Sequence, residues 1–416
     1  MGRAGTAMVI AWLVTAIYYF YQYVLRSAPA VMMPELVAGF SVSATAVASM
    51  LGLLYYGYSP FSHVAGVALE RLGPRRVVPI GAATVGVGAL LFATGNVALG
   101  SVGRFLQGAG GVFALVGAVY IATTHFPASR AATLIGATQM FGMAGGSAGQ
   151  FAVGPLIGAG VPWNRFWAVM GISGLFLSAL LVITIPKEEP AAQGSSWLRE
   201  AAANLGLVFR NPQSILCGVI AGLLFIPTTI FDMVWGVRFL QDAHGIDYAM
   251  AVMRSSTVPF GWIIGCPLLG FVSDRLGRRK AVIMGGAVTL LLCLAWILYG
   301  RPGVFPPYVV GLVAGIASGA AMLPYTVIKE ANPARVSGSA TGVINFINFT
   351  FSALLGPVFA RLLTRGSSGG DGLALGHYQG AFSPMLIGVG LALVLTMFLN
   401  ETGTAAARPA PVPAET

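Results

Sequence analysis

Arg26 is the first residue in this sequence whose type and setting point to chemistry. It lies in an apolar run that starts near Met8 and continues to about Pro34, long enough to cross a bilayer, and in its middle. A cation at that depth costs about 2.5–3.5 kcal/mol on insertion scales unless it faces protein or water. Thr15, Tyr19, Gln22 and Arg26 follow one another at spacings of four, three and four, so they share one helical face. A guanidinium presents five donors in a rigid fork and binds carboxylate or phosphate bidentately. The stripe therefore reads as a binding face for an anion. The alternative is a structural arginine bonded to a carboxylate or to backbone carbonyls.

Asp232 is the only acidic residue well inside an apolar span, 206 positions after Arg26 (232 − 26). Three roles are open to it. It can pair with Arg26, it can take up a proton once desolvated, or it can serve as a fixed salt bridge or hinge contact. Arg104 and Arg254 are further cations inside apolar runs, and Arg254 is near enough to the end of its run to snorkel toward the interface. His63 fits a buried histidine bonded to the backbone better than a titrating one. Thr341, Asn345, Asn348 and Ser352 form a second polar stripe with the same four, three, four spacing. Such side chains bridge helices in membranes and can also contact a ligand.

Other chemistries find no support. Cys217, Cys266 and Cys293 each sit in an apolar run, and the four histidines are scattered without ligand spacing, so neither a disulfide framework nor a metal site is expected. There is no nucleophile–base pair, and no G-x-x-x-x-G-K-S/T loop that would hold ATP. The sequence points to no enzyme, no cofactor and no metal.

The elements that must carry these residues follow from composition. Of 416 residues, 56% are hydrophobic and 9% charged, against about 25% charged in a soluble domain. Mean hydropathy is +0.81. So few charges cannot cover the surface of a soluble fold of this size, and the remainder must face lipid. The apolar runs give twelve spanning helices, at 8–36, 44–68, 77–96, 99–123, 131–158, 164–185, 213–240, 249–272, 281–299, 306–328, 337–363 and 380–399. The first is too long for a cleavable signal. An even number puts both termini on one side. With that side cytoplasmic, 15 of the 23 Lys and Arg fall in inner loops, as the positive-inside rule requires. The net charge of +10 is thereby a membrane-orientation signal rather than a sign of nucleic-acid binding. The expected location is the cell (inner) membrane, multi-pass, with both termini cytoplasmic.

The longest polar connection, 186–212, divides the spans six and six, and Trp197 to Arg210 fits a short surface helix. The expected organisation is an N-terminal six-helix bundle (1–185), a cytoplasmic linker (186–212), a C-terminal six-helix bundle (213–400) and a disordered tail (401–416). Thr364 to Gln379 reads as a flexible loop. The halves repeat. Gly66 to Arg76 (GVALERLGPRR) and Gly270 to Lys280 (GFVSDRLGRRK) are 204 apart (270 − 66), and Pro127 and Pro333 are 206 apart (333 − 127). Duplicated halves place a substrate site near the midplane, at their interface. Glycines at 108, 110, 111, 142, 145, 146 and 149 allow close helix contact, as does the first glycine of each repeated loop.

The two loops resemble the signature of the major facilitator superfamily, G-x-x-x-D/E-R-x-G-x-R/K-R/K. Gly66, Glu70, Arg71, Gly73, Arg75 and Arg76 carry it once, and Gly270, Asp274, Arg275, Gly277, Arg278 and Arg279 a second time. Arg104–Gly108 resembles the family's R-x-x-Q-G element. The resemblance spans residues 8–400 and implies an all-α membrane fold of two pseudo-symmetric six-helix bundles that transports by alternating access. It implies gating by Gly66, Glu70, Arg71, Arg75, Gly270, Asp274, Arg275 and Arg278, and pathway positions for Tyr120 and Tyr325. Within the superfamily, Tyr18 to Arg26 with Pro34 is similar to the organophosphate and organic-anion permeases. Their second arginine, in helix seven, is here Thr229, and their helix-five histidine is Phe141.

The reading is a secondary transporter of a small organic anion, a carboxylate or a phosphorylated metabolite, coupled to protons or to exchange. Its substrate site would use Arg26, Gln22, Tyr19, Tyr120, Tyr325 and Asn345, and its coupling Asp232 and Arg104. It is expected to act as a monomer, with the bilayer and the substrate as its partners. The competing readings are a membrane-embedded ligand sensor with a transporter fold, and a drug or cation exporter.

Overall fold

A computed structural model of the chain describes residues 3–126, 128–187, 197–301, 303–333, 336–365 and 373–403. The described residues are helical, with turns between helices and no strand. Four helix starts follow from capping side chains. Ser43, Asn96, Asn211 and Asp247 accept from Ala46 N, Leu99 N, Gln213 N and Met250 N at 3.0–3.2 Å, each satisfying an orphan donor of a first turn.

Twelve spans result. In the first half they are Arg3–Ser27, Ala44–Leu72, Pro74–Ala93, Val97–His125, Ala128–Phe151 and Trp163–Thr184, numbered 1 to 6. Spans 7 and 10 are broken. Span 7 runs through Pro212–Ile226, a π-helical segment Pro227–Gly236 and Val237–His244. Span 10 is Val309–Ser318, a 3-10 turn Gly319–Met322 and Leu323–Glu330. Spans 8, 9, 11 and 12 are Tyr248–Leu276, Arg279–Tyr299, Ser337–Thr364 and Leu375–Met397. Among the described residues ten of these are long and apolar enough to cross a membrane on their own, and span 2 makes eleven with the short helix Met33–Phe40 bent 101° against it. Span 5, rich in glycine, is the twelfth by its place in the fold.

Pairing reveals the repeat. Spans 2 and 4, 1 and 5, 3 and 6, and 3 and 4 pack together. So do 8 and 10, 7 and 11, 9 and 12, and 9 and 10, the same pairs six spans later. Between the halves, 2 packs on 11 and 5 on 8, which is the corresponding exchange. The two six-helix bundles are therefore related by a pseudo-two-fold.

Several boundaries depart from expectation. The first span does not run on to residue 36. Its helix stops at Ser27, and Ala28–Val31 is a 3-10 turn, because Pro29 and Pro34 supply no N–H to the ladder. Arg26 is thus in the last turn of the helix rather than mid-span. Span 12 begins at Leu375, inside the segment expected to be loop. The expected tail 401–416 begins in order: Glu401 accepts from the backbone N–H groups of Arg279 (2.6 Å) and Lys280 (3.2 Å), capping span 9. The surface helix Trp197–Arg210 is present. The side chains of Glu70 and Arg130, the residues Pro127, Ala334 and Arg335, and the segments 188–196, 366–372 and 404–416 lie outside the described residues.

Candidate functional site

Span 1 carries the site, and glycines on its neighbours seat it. A Cβ at Gly142 would meet the ring of Tyr19, at Gly145 the carbonyl of Phe20, at Gly149 the carbonyl of Val24, and at Gly111 the amide of Gln22. Spans 4 and 5 can therefore approach the backbone of span 1 closely enough to close the polar stripe inside protein. Gly108, Gly110 and Gly146 make the same kind of contact, with Leu54, Gly81 and Met233.

Arg26 is 3% exposed. Its guanidinium sits 4.4 Å from the Tyr23 ring, 4.9 Å from Tyr58, 5.2 Å from Phe349 and 5.6 Å from Tyr55. Spans 1, 2 and 11 supply these four faces, so the cage joins the two halves. Among the described residues the guanidinium donates from Nη2 to Gln22 Oε1, at a long 3.4 Å. Nε and Nη1 are buried without an acceptor, and so is the Gln22 Nε2 donor. Among the described residues no carboxylate pairs with Arg26, so the two alternatives in which it serves as a fixed ion pair are not met. Four ring faces offset part of the cost of an unpaired buried cation, but they leave its in-plane donors free.

The second stripe meets this cluster from the other half. Asn345 Oδ1 accepts from the Tyr325 hydroxyl at 2.7 Å, and that hydroxyl accepts from Asn348 Nδ2 at 3.0 Å. Asn345 Nδ2 and Asn348 Oδ1 have no partner. Tyr325 lies within electrostatic reach of Tyr23, Tyr58 and Arg26. Ser352 bonds Thr229 at 3.0 Å, and the Tyr55 hydroxyl donates to the Thr229 carbonyl at 3.3 Å. Tyr19 donates to Gln139 Oε1 at 2.9 Å, a partner on span 5 that the sequence did not single out.

Arg104 is buried beside the same cluster; its Nε has no acceptor, but its Nη1 is engaged twice. Nη1 donates to the Leu25 carbonyl (3.1 Å) and to Gln107 Oε1 (2.7 Å). It tethers the carbonyl end of the helix that carries Arg26, where the helix dipole favours a cation. Tyr120 lies farther along span 4. It stands 16 residues from Arg104 on span 4 (120 − 104), roughly 24 Å along the helix.

Asp232 is 4% exposed and turned away from Arg26. Ser255 donates to its Oδ1 at 2.9 Å, and Gln150 Nε2 lies 3.5 Å from its Oδ2. The π-helical segment accounts for this. Thr229, Ile230, Val234 and Trp235 line a cavity of about 20 Å³ with Arg26 and Arg104, room for about one water molecule. Thr228, Phe231, Asp232 and Gly236 face a different pocket on the other side. The Arg26–Asp232 ion pair, one of the three roles left open, is not formed, because widened turns give the carboxylate to the far face.

The end of the bundle away from the repeated loops is closed. The Tyr248 hydroxyl donates to the Val31 carbonyl (2.7 Å) and lies 3.1 Å from that of Gly154, joining span 8 to the ends of spans 1 and 5. Ser147 donates to the Ser256 carbonyl at 3.2 Å. At the basic end, where the loops lie, the expected helix contact of Gly66 and Gly270 is not made: a Cβ on either would meet nothing within 4 Å. About a turn away the halves still meet, where Gly342 faces His63 and Ser62. Gly73 (φ +75°) and Gly277 (φ +63°) instead make the turns between spans. Arg75 Nη1 donates to the Ile185 carbonyl at 2.8 Å. In the second loop Arg279, not Arg278, makes the ion pairs, with Asp274 and with Glu330 (2.9 Å), while Arg275 and Arg278 are exposed. His63 packs on Phe346 (4.8 Å) and Phe209 (5.9 Å), and its Nδ1 has no partner, so it is not bonded to the backbone there.

Known proteins share this fold. Residues 15–357 match the model of the Major Facilitator Superfamily. Membrane sensor protein UhpC of Salmonella typhimurium is 23% identical over 94% of this chain and 91% of its own length. Hexuronate transporter of Bacillus subtilis is 26% identical over 90% of each. Sialic acid transporter NanX of Escherichia coli is 26% identical over 73% of each. Among solved structures, a bacterial homologue of the human lysosomal transporter Spinster superposes with a TM-score of 0.70 at 16% identity, covering 98% of this chain and 99% of that one. A D-xylose-proton symporter does so with a TM-score of 0.70 at 15% identity, covering 96% and 98%. Doubled loops, spans that pair in the same pattern six apart, and a match over most of the length all point one way: the chain belongs to the major facilitator superfamily, a multi-pass membrane transporter family rather than an enzyme family.

Proposed function

We propose that this chain is a secondary active transporter of a small organic anion, a carboxylate or phosphorylated metabolite, working by alternating access. The observation that carries the reading is Arg26: a buried cation with two nitrogens lacking an acceptor and, among the described residues, no acid beside it. An anion entering the cage would complete a bidentate pair. Gln22, Asn345 and Tyr325 would hold its polar remainder, and Tyr19 would position the stripe. Two relatives are named for hexuronate and sialic acid, both carboxylate-bearing sugars. Closure at Tyr248 and open space at Gly66 and Gly270 support a state open toward the basic end. The repeated loops, with Glu70, Arg71, Arg75, Asp274 and Arg275, would lock that end in the opposite state. Charge asymmetry supports a cytoplasmic basic end, in the cell (inner) membrane. The working organisation is two bundles, 1–185 and 213–400, in a monomer.

Asp232 is the coupling group in this reading, taking a proton as the halves rock. The test is a thermal-stabilisation screen of sugar acids, dicarboxylates and sugar phosphates, followed by uptake of the best ligand into proteoliposomes. Stabilisation only by cationic or neutral compounds would sink the anion reading. A sensor is the second reading, favoured by the similarity to UhpC; anion binding without flux would establish it instead.

A further inference from the structure

The pocket behind Asp232 is a separate feature that anion transport does not use. It lies within the C-terminal half, between spans 7, 8, 9 and 10, and reaches from Thr228 and Ser255 up to Gly300, Phe305 and Pro307 at the closed end. Its volume is about 130 Å³, close to the roughly 150 Å³ of an apolar cavity that takes benzene. One small ring or a short alkyl chain fits. Phe231, Phe239, Leu294, Trp296 and Phe305 line it, and Phe305 is 48% exposed at the mouth, an apolar surface of the kind that marks binding sites.

Its charge is arranged with sense. The floor holds Asp232, already engaged by Ser255 and Gln150. Toward the mouth stand Arg254, Arg301 and His244. Arg254 is half-buried, its Nε is shielded from solvent and has no acceptor, and no ion pair to it occurs among the described residues. The nearest acid on its own helix start, Asp247, is occupied in capping Met250 N. A ligand with an apolar body and one negative group would seat the body on the aromatic wall and give Arg254 its missing acceptor.

We propose that this pocket is a second ligand site, for a small amphipathic organic anion such as an aromatic carboxylate, with Arg254 as its charge partner. The π-helical segment is the wall between this site and the Arg26 cavity, so an occupant presses on the segment whose other face lines the transport site. The same chemistry is available from a soluble aryl acid or from an anionic phospholipid reaching in from the bilayer.

The test uses the full-length protein in neutral-detergent micelles and a photoreactive probe, 4-(trifluoromethyldiazirinyl)benzoate, with adducts mapped by peptide mass spectrometry. Saturable labelling of spans 7 to 10 is expected. It should fall by about tenfold or more in Arg254→Gln, the equivalent of one charge-assisted bond, and should fall again in Val258→Phe, which narrows the cavity without touching charge. Arg26→Ala should leave it unchanged, which separates this site from the transport site. Competition by phosphatidylglycerol assigns the site to lipid, and competition by benzoate alone assigns it to soluble acids; either supports the proposal. Labelling that is spread over the lipid-facing surface, that is equal for the methyl ester of the probe, or that stays at the wild-type level in both monodisperse variants overturns it.

Discussion

Replacing Arg26 by Met separates a binding arginine from a structural one. In the unliganded protein, four ring faces at 4.4–5.6 Å surround the guanidinium. Each is worth about 0.5–2 kcal/mol when desolvated. Against them stands the burial of an unpaired charge, which costs several kcal/mol. The two roughly cancel, so an apolar side chain of similar length should leave the melting temperature in detergent unchanged or raise it. Ligand binding should respond differently. Two charge-assisted hydrogen bonds from Nε and Nη1, at about 1.5–3 kcal/mol each, amount to at least 3 kcal/mol, or about 150-fold in affinity. Melting curves of wild type and Arg26→Met, with and without a sugar acid that stabilises the wild type, give both quantities in one assay. The expected pattern is an unliganded midpoint that holds and a ligand shift that vanishes. The reasoning is refuted if the unliganded midpoint drops by the equivalent of about 2 kcal/mol or more while the ligand shift survives, because Arg26 would then be holding the fold.

Three further outcomes follow from the same geometry. Gly108→Val should destabilise by about 2–4 kcal/mol, since its Cβ meets the Leu54 carbonyl and backbone cannot step aside, whereas Gly66→Val, facing open space, should leave melting unchanged and impair only uptake. Tyr248→Phe removes the hydroxyl between the Val31 and Gly154 carbonyls; at about 1 kcal/mol this favours opening of that end roughly fivefold. In a background lacking native cysteines, a cysteine at Gly52 should then react correspondingly faster with an impermeant maleimide, and an unchanged rate would count against the latch. Asp232→Asn should flatten the dependence of uptake on pH while ligand stabilisation persists; accumulation that remains pH-dependent would remove Asp232 from coupling.

Much of this was legible in the sequence, and what was not has definite causes. Solvent was readable because composition alone decides whether a surface can be wetted, and the repeat because two loops share one offset. Arg26 stood out because a cation in an apolar run is costly. Local geometry was not readable. Arg26 and Asp232 occupy equivalent positions by counting, yet counting assumes uniform turns, and Pro227 opens a π-helical segment in span 7 that turns the carboxylate away. Gly66 and Gly270 carry the motif, but what a glycine touches depends on how the halves are tilted. Arg279, outside the expected gating set, makes the ion pairs, because the chain turns through Gly277 and places Arg278 at the cap of span 9, exposed to solvent. Glu330 and Glu401, which complete that corner, lie 51 and 122 residues from Arg279, beyond any local pattern.

The glycine contacts have a mechanical consequence. Spans 3 and 4 meet backbone to backbone at Gly81 with Gly110 and at Gly88 with Gly103, and span 2 meets span 4 at Gly57 and Gly108. With no side chains between them to slide or re-pack, these three spans behave as one stiff plate. Deformation must then concentrate where the helical ladder is already interrupted: Ala28–Val31, Pro227–Gly236 and Gly319–Met322. The protein is thus a pair of levers with three compliant joints. One of these joints follows directly on Arg26 and another holds Asp232, so a force applied to either charge is delivered straight to a hinge.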